Sequence, residues 1–161
     1  MNQEPNFDGF DQRTIDTILE YGHQVVLVYP VEGGDDHVPF AYTVGRSLRD
    51  EPELLITGSL PPAIAGKILN DAVRLHDEGK FVLQDGFEYP AGTLLRGPYG
   101  ARAVEVDPRA SEMFQAINMM GEDRVRALQI VWPCPLGGYP GEQRYSLPRD
   151  SQPIHRREPA H

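Results

Sequence analysis

Short apolar runs bounded by proline or glycine mark the strands of this sequence. They lie at residues 39–45, 52–58 and 127–133, and each is rich in β-branched or aromatic side chains. This composition, with proline or glycine at the ends of each run, predicts buried β-strands, which we place together at the centre of one sheet. A further continuous run at residues 25–28 predicts another strand, over residues 24–29.

Three other segments carry apolar residues at helical spacing. The first lies between a capping residue, Asp11, and Gly22, and the second runs from the proline pair at 61–62 to Gly79. The third is predicted to begin at the Asp107-Pro108 pair and to end at Gly121. The apolar positions are Ile15, Ile18 and Leu19 in the first segment, Ile64, Ile68, Ala72 and Leu75 in the second, and Ala110, Met113, Phe114 and Ile117 in the third.

The order of these elements predicts an α+β fold, in which three helices pack on a mainly antiparallel sheet of about five or six strands. One hairpin is expected across the loop at 30–38, and a second between strands at 93–96 and 101–106. We divide the chain into a flexible leader at 1–9, a single domain at 10–148 and a polar tail at 149–161.

Composition narrows the classes of partner. The chain has 161 residues, of which 40% are hydrophobic, and a formal net charge of −9. An acidic surface argues against nucleic acid as a partner, and the apolar runs are far too short to cross a membrane. Cys134 is the only cysteine, so no disulfide can form within the chain and a cytoplasmic location is expected.

Familiar catalytic and cofactor motifs are absent. The sequence has neither the G-x-x-x-x-G-K-[ST] string of a phosphate loop nor G-x-G-x-x-G, and its five histidines lack metal-ligand spacing. We therefore predict no metal site, and the catalytic residues, cofactor and partner stay unknown. Whether the chain is an enzyme also stays open.

A candidate pocket follows from the polar exceptions within or beside the apolar elements. Glu53 is the sharpest case. A carboxylate that points inward from a buried strand must be paired or have a raised pKa, whereas one that points outward is an ordinary edge charge, and we favour the outward orientation. Tyr42 and Thr43 are neighbours on a strand, so they are expected on opposite faces. The candidate pocket residues are His23, Tyr42, Thr43, Glu53, Gln129 and Trp132.

Several strings in this sequence resemble one protein family. They are Phe-Ala-Tyr-Thr-Val-Gly at 40–45, Pro-Glu-Leu-Leu at 52–55 with Gly58, Leu-Asn at 69–70, Leu-Gln-Ile-Val-Trp-Pro at 128–133, Gly-Tyr-Pro at 138–140 and Gln-Pro at 152–153. Together they are similar to the bacterial and phage proteins grouped as domain of unknown function 4262. The chain departs from that pattern at Cys134, where an acidic residue is expected, and at Gly141, where a tryptophan is expected. The resemblance implies a small cytoplasmic protein of uncharacterised activity.

Three functions remain open at this point. The first is a non-catalytic binding or interaction module, favoured because no nucleophile–base, metal or phosphate motif is present. The second is an enzyme with a pocket near Tyr42, Glu53 and Gln129, where the first strands meet the last. The third is a flavin- or nucleotide-binding protein similar to split barrels. A homodimer or another protein partner, docked at an edge strand or near Trp132, is compatible with each.

Overall fold

The computed structural model of the chain describes residues 4–30 and 38–157. Residues 31–37 of the loop expected at 30–38, the first three leader residues and the last four tail residues lie outside this described part. The strands are β1 (Gln24–Val28), β2 (Phe40–Val44), β3 (Glu53–Thr57), β4 (Glu88–Tyr89), β5 (Ala101–Val106) and β6 (Ala127–Val131), and the α-helices are α1 (Gln12–Tyr21), α2 (Pro62–Asp77) and α3 (Phe114–Met120). The predicted α+β class, with three helices and a mainly antiparallel sheet, is confirmed.

The six strands form one sheet in the order β1-β2-β3-β6-β5-β4. The neighbours pair antiparallel except β3 and β6, which are parallel and are joined by a crossover that includes α2 and α3. The three runs predicted to be central strands are thus adjacent in the middle of the sheet. Their neighbours leave β1 and β4 as the edges.

A hydrophobic core lies on each face of the sheet. On one face, α2 buries Ile68, Leu69 and Ala72 against Leu54 and other apolar strand residues. On the other face, α3 and its preceding turn pack against side chains of β2, β3, β5 and β6, and α1 contributes its buried Ile18. Within the described ranges, no helix is long and apolar enough to cross a membrane.

The helix predicted to start at Asp107 is wrong in its extent. The Asp107 carboxylate does cap a turn, accepting hydrogen bonds from the backbone N–H groups of Arg109 (2.9 Å) and Ala110 (3.3 Å). That turn ends at once, because Glu112 adopts a left-handed conformation (φ +60°) and the Met113 N–H returns to the Pro108 carbonyl at 3.0 Å. This is the hydrogen-bond pattern of a helix C-terminus, and α3 begins only at Phe114.

The second predicted hairpin has the wrong partner. Strand β5 pairs with β4 at residues 88–89, while residues 93–96 form no strand. The reason is that the backbone of residues 86–87 bonds to Ala103 of β5. The chain after β4 therefore turns away from β5 instead of pairing with it.

Residues 152–157 of the predicted tail lie against the sheet. Gln152 is buried, and its amide bonds to both backbone groups of Trp132. The His155 carbonyl accepts from the Asp107 N–H at 2.8 Å, and Arg156 forms a bridge with Val106 at the end of β5. This segment therefore closes one end of the face that carries α3.

Candidate functional site

A cleft of about 620 Å³ opens between α1, the start of β1 and the C-terminal half of α2. Its size lies within the roughly 300–1,000 Å³ that small-molecule sites occupy. Val25 and Val73 supply apolar wall, and Thr17 and Tyr21 approach from α1. A cleft that joins apolar walls to a few polar side chains has the usual make-up of a ligand site.

Local sequence explains why His23 lies in this cleft. Gly22 takes a left-handed conformation (φ +91°) that α1 needs for its C-terminus, and its N–H bonds to the Ile18 carbonyl at 2.8 Å. The chain then turns directly into β1, so His23 occupies the corner between helix and strand. Gln24 begins the pairing of β1 with Val44 of β2.

The His23 imidazole makes one polar contact across the cleft. Its Nε2 lies 2.7 Å from the amide oxygen of Asn70 on α2. With that oxygen as the acceptor, Nε2 carries the proton and donates. In the neutral ring Nδ1 is then a bare acceptor, and within the described residues this buried nitrogen has no hydrogen-bond partner. Asn70 was not predicted as a site residue, although the Leu-Asn pair at 69–70 was part of the family resemblance.

The charged side chains of the cleft are held in ion pairs. Asp77 lies 3.8 Å from the Arg49 guanidinium, and Glu78 lies 3.2 Å from the Lys80 ammonium. The hydrogen bond from Lys80 is the main reason that the pKa of Glu78 is lowered, with Arg74 adding to it. The Glu78 carboxylate therefore stays charged at the rim, and neither Asp77 nor Glu78 contacts His23 by a described hydrogen bond.

The outward orientation favoured for Glu53 is wrong, because its carboxylate points inward, is fully buried and accepts five hydrogen bonds. Its Oε1 accepts from the Thr43 hydroxyl (2.8 Å) and the Arg46 N–H (3.1 Å). Its Oε2 accepts from the N–H groups of Gly45 (3.1 Å) and Ser47 (3.0 Å) and from the Ser47 hydroxyl (2.7 Å). The carboxylate thus fastens the turn between β2 and β3, and no oxygen of it faces a cavity described above.

Arg46, which the sequence did not single out, is the largest fully buried side chain among the residues that the structure describes. Its Nε donates to the Pro52 carbonyl at 3.0 Å, and its terminal nitrogens lie 3.7 Å from Asp77 and 3.8 Å from Glu51. Burial lowers the pKa of the Arg46 guanidinium, while Asp77, Glu53 and Glu51 oppose that shift. Nothing in the local sequence distinguishes this arginine from an exposed one, because its burial depends on α2 covering it.

The remaining candidate residues lie in separate places. The Tyr42 hydroxyl accepts from the Gln115 N–H at 3.1 Å, and burial raises the pKa of Tyr42. Gln129 donates to the Thr57 hydroxyl at 2.9 Å, and the Trp132 ring nitrogen donates to the Thr57 carbonyl at 2.8 Å.

Of the six candidates, only Thr43 and Glu53 are joined to each other by a hydrogen bond that the structure describes. Gln129 and Trp132 share a neighbour in Thr57, and His23 lies alone in the cleft. Over residues 4–30 and 38–157, no group of three or more His, Cys, Asp or Glu side chains is arranged to hold a metal ion. A single pocket lined by all six residues therefore stays a prediction.

Comparison with protein families identifies a match over most of the chain. A family model described as "Domain of unknown function (DUF4262)" matches residues 17–146, which is most of the chain. The matched range contains α1 from Thr17 onward, all six strands and both sides of the cleft. No curated protein matches the chain, and no solved structure matches it.

Proposed function

We propose that this chain, which belongs to the DUF4262 family, is a non-catalytic binding module that holds a small organic ligand in the cleft between α1, β1 and α2. The proposal rests on the geometry of the chain itself. The observation that carries the proposal is the hydrogen-bonded pair of His23 and Asn70 set between apolar walls, with His23 Nδ1 buried and unpaired. The apolar walls supply affinity, and the polar pair orients the ligand.

A binding role is favoured over catalysis because the cleft lacks a coupled acid–base pair among its described residues. His23 is the one imidazole in the wall, and its polar contact is an amide, which neither takes up nor releases a proton near neutral pH. The nearby carboxylates of Asp77 and Glu78 are engaged by cations. A triad-like chain from carboxylate to imidazole to nucleophile is therefore not supported.

The alternative of an enzyme pocket near Tyr42, Glu53 and Gln129 has weaker support. Both Glu53 oxygens are occupied, and the Tyr42 hydroxyl is bonded to the backbone of α3. A flavin-binding barrel is also weakly supported, because the described strands form a sheet with two edges, β1 and β4. A reducing compartment such as the cytoplasm fits the buried free thiol of Cys134.

The test compares two tryptophan substitutions on α1. Thr17→Trp places a large ring at a residue that lines the cleft, whereas Glu20→Trp places the same ring at an exposed residue outside it. Each variant is purified under native conditions, and the small molecules released on denaturation are identified by mass spectrometry. We expect one compound from the wild type and from Glu20→Trp, and its loss from Thr17→Trp.

A second measurement separates binding from turnover. The recovered compound, or hits from a fragment library, are titrated while the methyl signals of Val25 and Val73 are followed by NMR. Saturable shifts at these methyl groups, with the compound recovered unchanged after long incubation, support the proposal. Shifts confined to other parts of the protein, or conversion of the compound, contradict it.

A further inference from the structure

A second, smaller cavity of about 200 Å³ lies on the other face of the sheet. Its apolar wall comes from Val38, Phe40 and Leu55, and the chain closes it with residues 110–112, which precede α3, and with Pro153 and His155. At about 30 Å³ per water molecule, the volume equals roughly six or seven waters. It therefore suits a ligand of only a few heavy atoms.

One polar atom of the cavity wall has no hydrogen-bond partner among the described residues, and it is able to accept a hydrogen bond. Ser111 lines it, is 7% exposed, and has a buried hydroxyl oxygen with no partner in the described part of the chain. Behind the wall, Gln129 uses its amide nitrogen to bond the Thr57 hydroxyl (2.9 Å) and the Pro153 carbonyl (3.0 Å). Its buried amide oxygen is likewise left unpaired among the described residues.

Glu112 lines the cavity and contributes a negative charge to its wall. Its side chain is exposed, and within residues 4–30 and 38–157 no cation pairs with its carboxylate. Glu112 also occupies the left-handed position that ends a helical turn, where glycine is the usual residue. A residue other than glycine in this strained conformation is a reason to look for a role of its side chain.

We propose that this cavity binds a small primary alkylammonium ion. The ammonium group donates hydrogen bonds to the Ser111 hydroxyl and pairs with the Glu112 carboxylate, and the alkyl chain lies against Val38, Phe40 and Leu55. A donor-rich cation complements a wall that offers the Ser111 hydroxyl as an acceptor and the Glu112 carboxylate, on a protein whose net charge is −9. This site is separate from the cleft at His23 and does not depend on the function proposed there.

The test uses n-butylammonium chloride as the probe, at pH 8, where an alkylamine stays protonated. Methyl signals of Val38 and Leu55 report the cavity, and those of Val73 report the cleft. We expect saturable shifts at the cavity with a dissociation constant of order 1–10 mM, a range that about five heavy atoms can support. n-Butanol and sodium butyrate, which keep the carbon chain and change the head group, should bind about tenfold more weakly or worse.

Ser111→Ala and Glu112→Gln should each weaken n-butylammonium binding by about tenfold, because the first removes a hydrogen-bond acceptor and the second removes the negative charge that pairs with the ammonium group. Glu20→Gln, an equal change of charge at an exposed residue of α1, should leave it unchanged. Glu112→Gly gives a further check. Since glycine suits the left-handed backbone, its melting temperature should equal or exceed that of the wild type while binding is lost.

The proposal is overturned if n-butylammonium gives no saturable shift at Val38 and Leu55. It is also overturned if butanol binds as tightly as the ammonium ion, or if Glu112→Gln and Glu112→Gly bind as the wild type does. Because Glu112 is exposed, its variants keep the fold and the test does not rely on Ser111→Ala alone.

Discussion

Replacing Glu53 by glutamine should destabilise the fold strongly, although the two side chains have the same shape. Whichever carboxylate oxygen becomes the amide nitrogen, at least two donors lose their acceptor: Thr43 and Arg46 at one oxygen, Gly45 and Ser47 at the other. The new NH₂ group would also face those donors. Two hydrogen bonds to a charged acceptor, at about 1.5–3 kcal/mol each, give a loss of about 3–6 kcal/mol.

The loss is measured by urea unfolding, followed through the fluorescence of Trp132, the only tryptophan. For a chain of this length a change of 1 kcal/mol moves the melting temperature by about 2–4 °C, so a fall of roughly 6–24 °C should accompany the lower urea midpoint. Glu20→Gln, at an exposed position, is the matched control and should change neither. A loss below about 1 kcal/mol for Glu53→Gln would refute the reasoning, because it would mean that the buried donors do not depend on the carboxylate.

Two further predictions concern the other end of the sheet. Gly58→Ala should destabilise the protein, because an added Cβ would lie 2.5 Å from the Trp132 ring and the backbone φ there is +118°. The control is Gly66→Ala, where an added Cβ meets nothing within 4 Å. Thermal melting of the two variants tests the prediction, and equal melting temperatures would contradict it. Burial disfavours the Cys134 thiolate, but hydrogen bonds from Ser146 and from the backbone of Leu136 and Gly138 outweigh it and lower the pKa of Cys134 to about 7. Thiolate absorbance should therefore titrate near pH 7 in the folded protein. The pKa of Cys134 is lower in the folded than in the unfolded protein, so the thiolate stabilises the fold. The difference in unfolding free energy between the wild type and Cys134→Ala should therefore include this stabilisation fully above about pH 9 and lose it as the pH falls through 7. A difference that does not change with pH would contradict this.

The fold was largely predictable because its signals are local. The bounded apolar runs became β2, β3 and β6, and the capping of α1 by Asp11 and Gly22 appears as predicted, with the Asp11 carboxylate accepting from the Thr14 N–H at 2.7 Å. The pairing of β5 was not predictable in the same way. Turn residues between two apolar runs suggest a hairpin. Here, however, the backbone of β5 at Ala103 bonds to Gly86 and Phe87, and these more distant residues decide which segment pairs with β5.

The candidate sites were less predictable, because a buried polar group finds its partners far away along the chain. The sequence favoured an outward Glu53, but the side chain points inward, and its partners are mostly backbone groups, which no residue type reveals. His23 was predicted as a site residue, yet its contact, Asn70, lies 47 residues away on another helix. The two cavities exist only where such distant segments meet.

The turn before α3 shows how a local signal can be right and still mislead. Asp107 caps a helical turn as its sequence predicts, and the Ser111 N–H bonds back to the Asp107 carbonyl at 3.0 Å. The stop comes four residues later at Glu112, a residue type that gives no sign of a left-handed conformation. A glycine there would end the turn with less strain, costing the chain nothing but the carboxylate. Among the described residues, a left-handed backbone at Glu112, a Ser111 hydroxyl without a hydrogen-bond partner and a Glu112 carboxylate without a paired cation lie at one cavity, and this coincidence is the reason for proposing a role for the Glu112 side chain there.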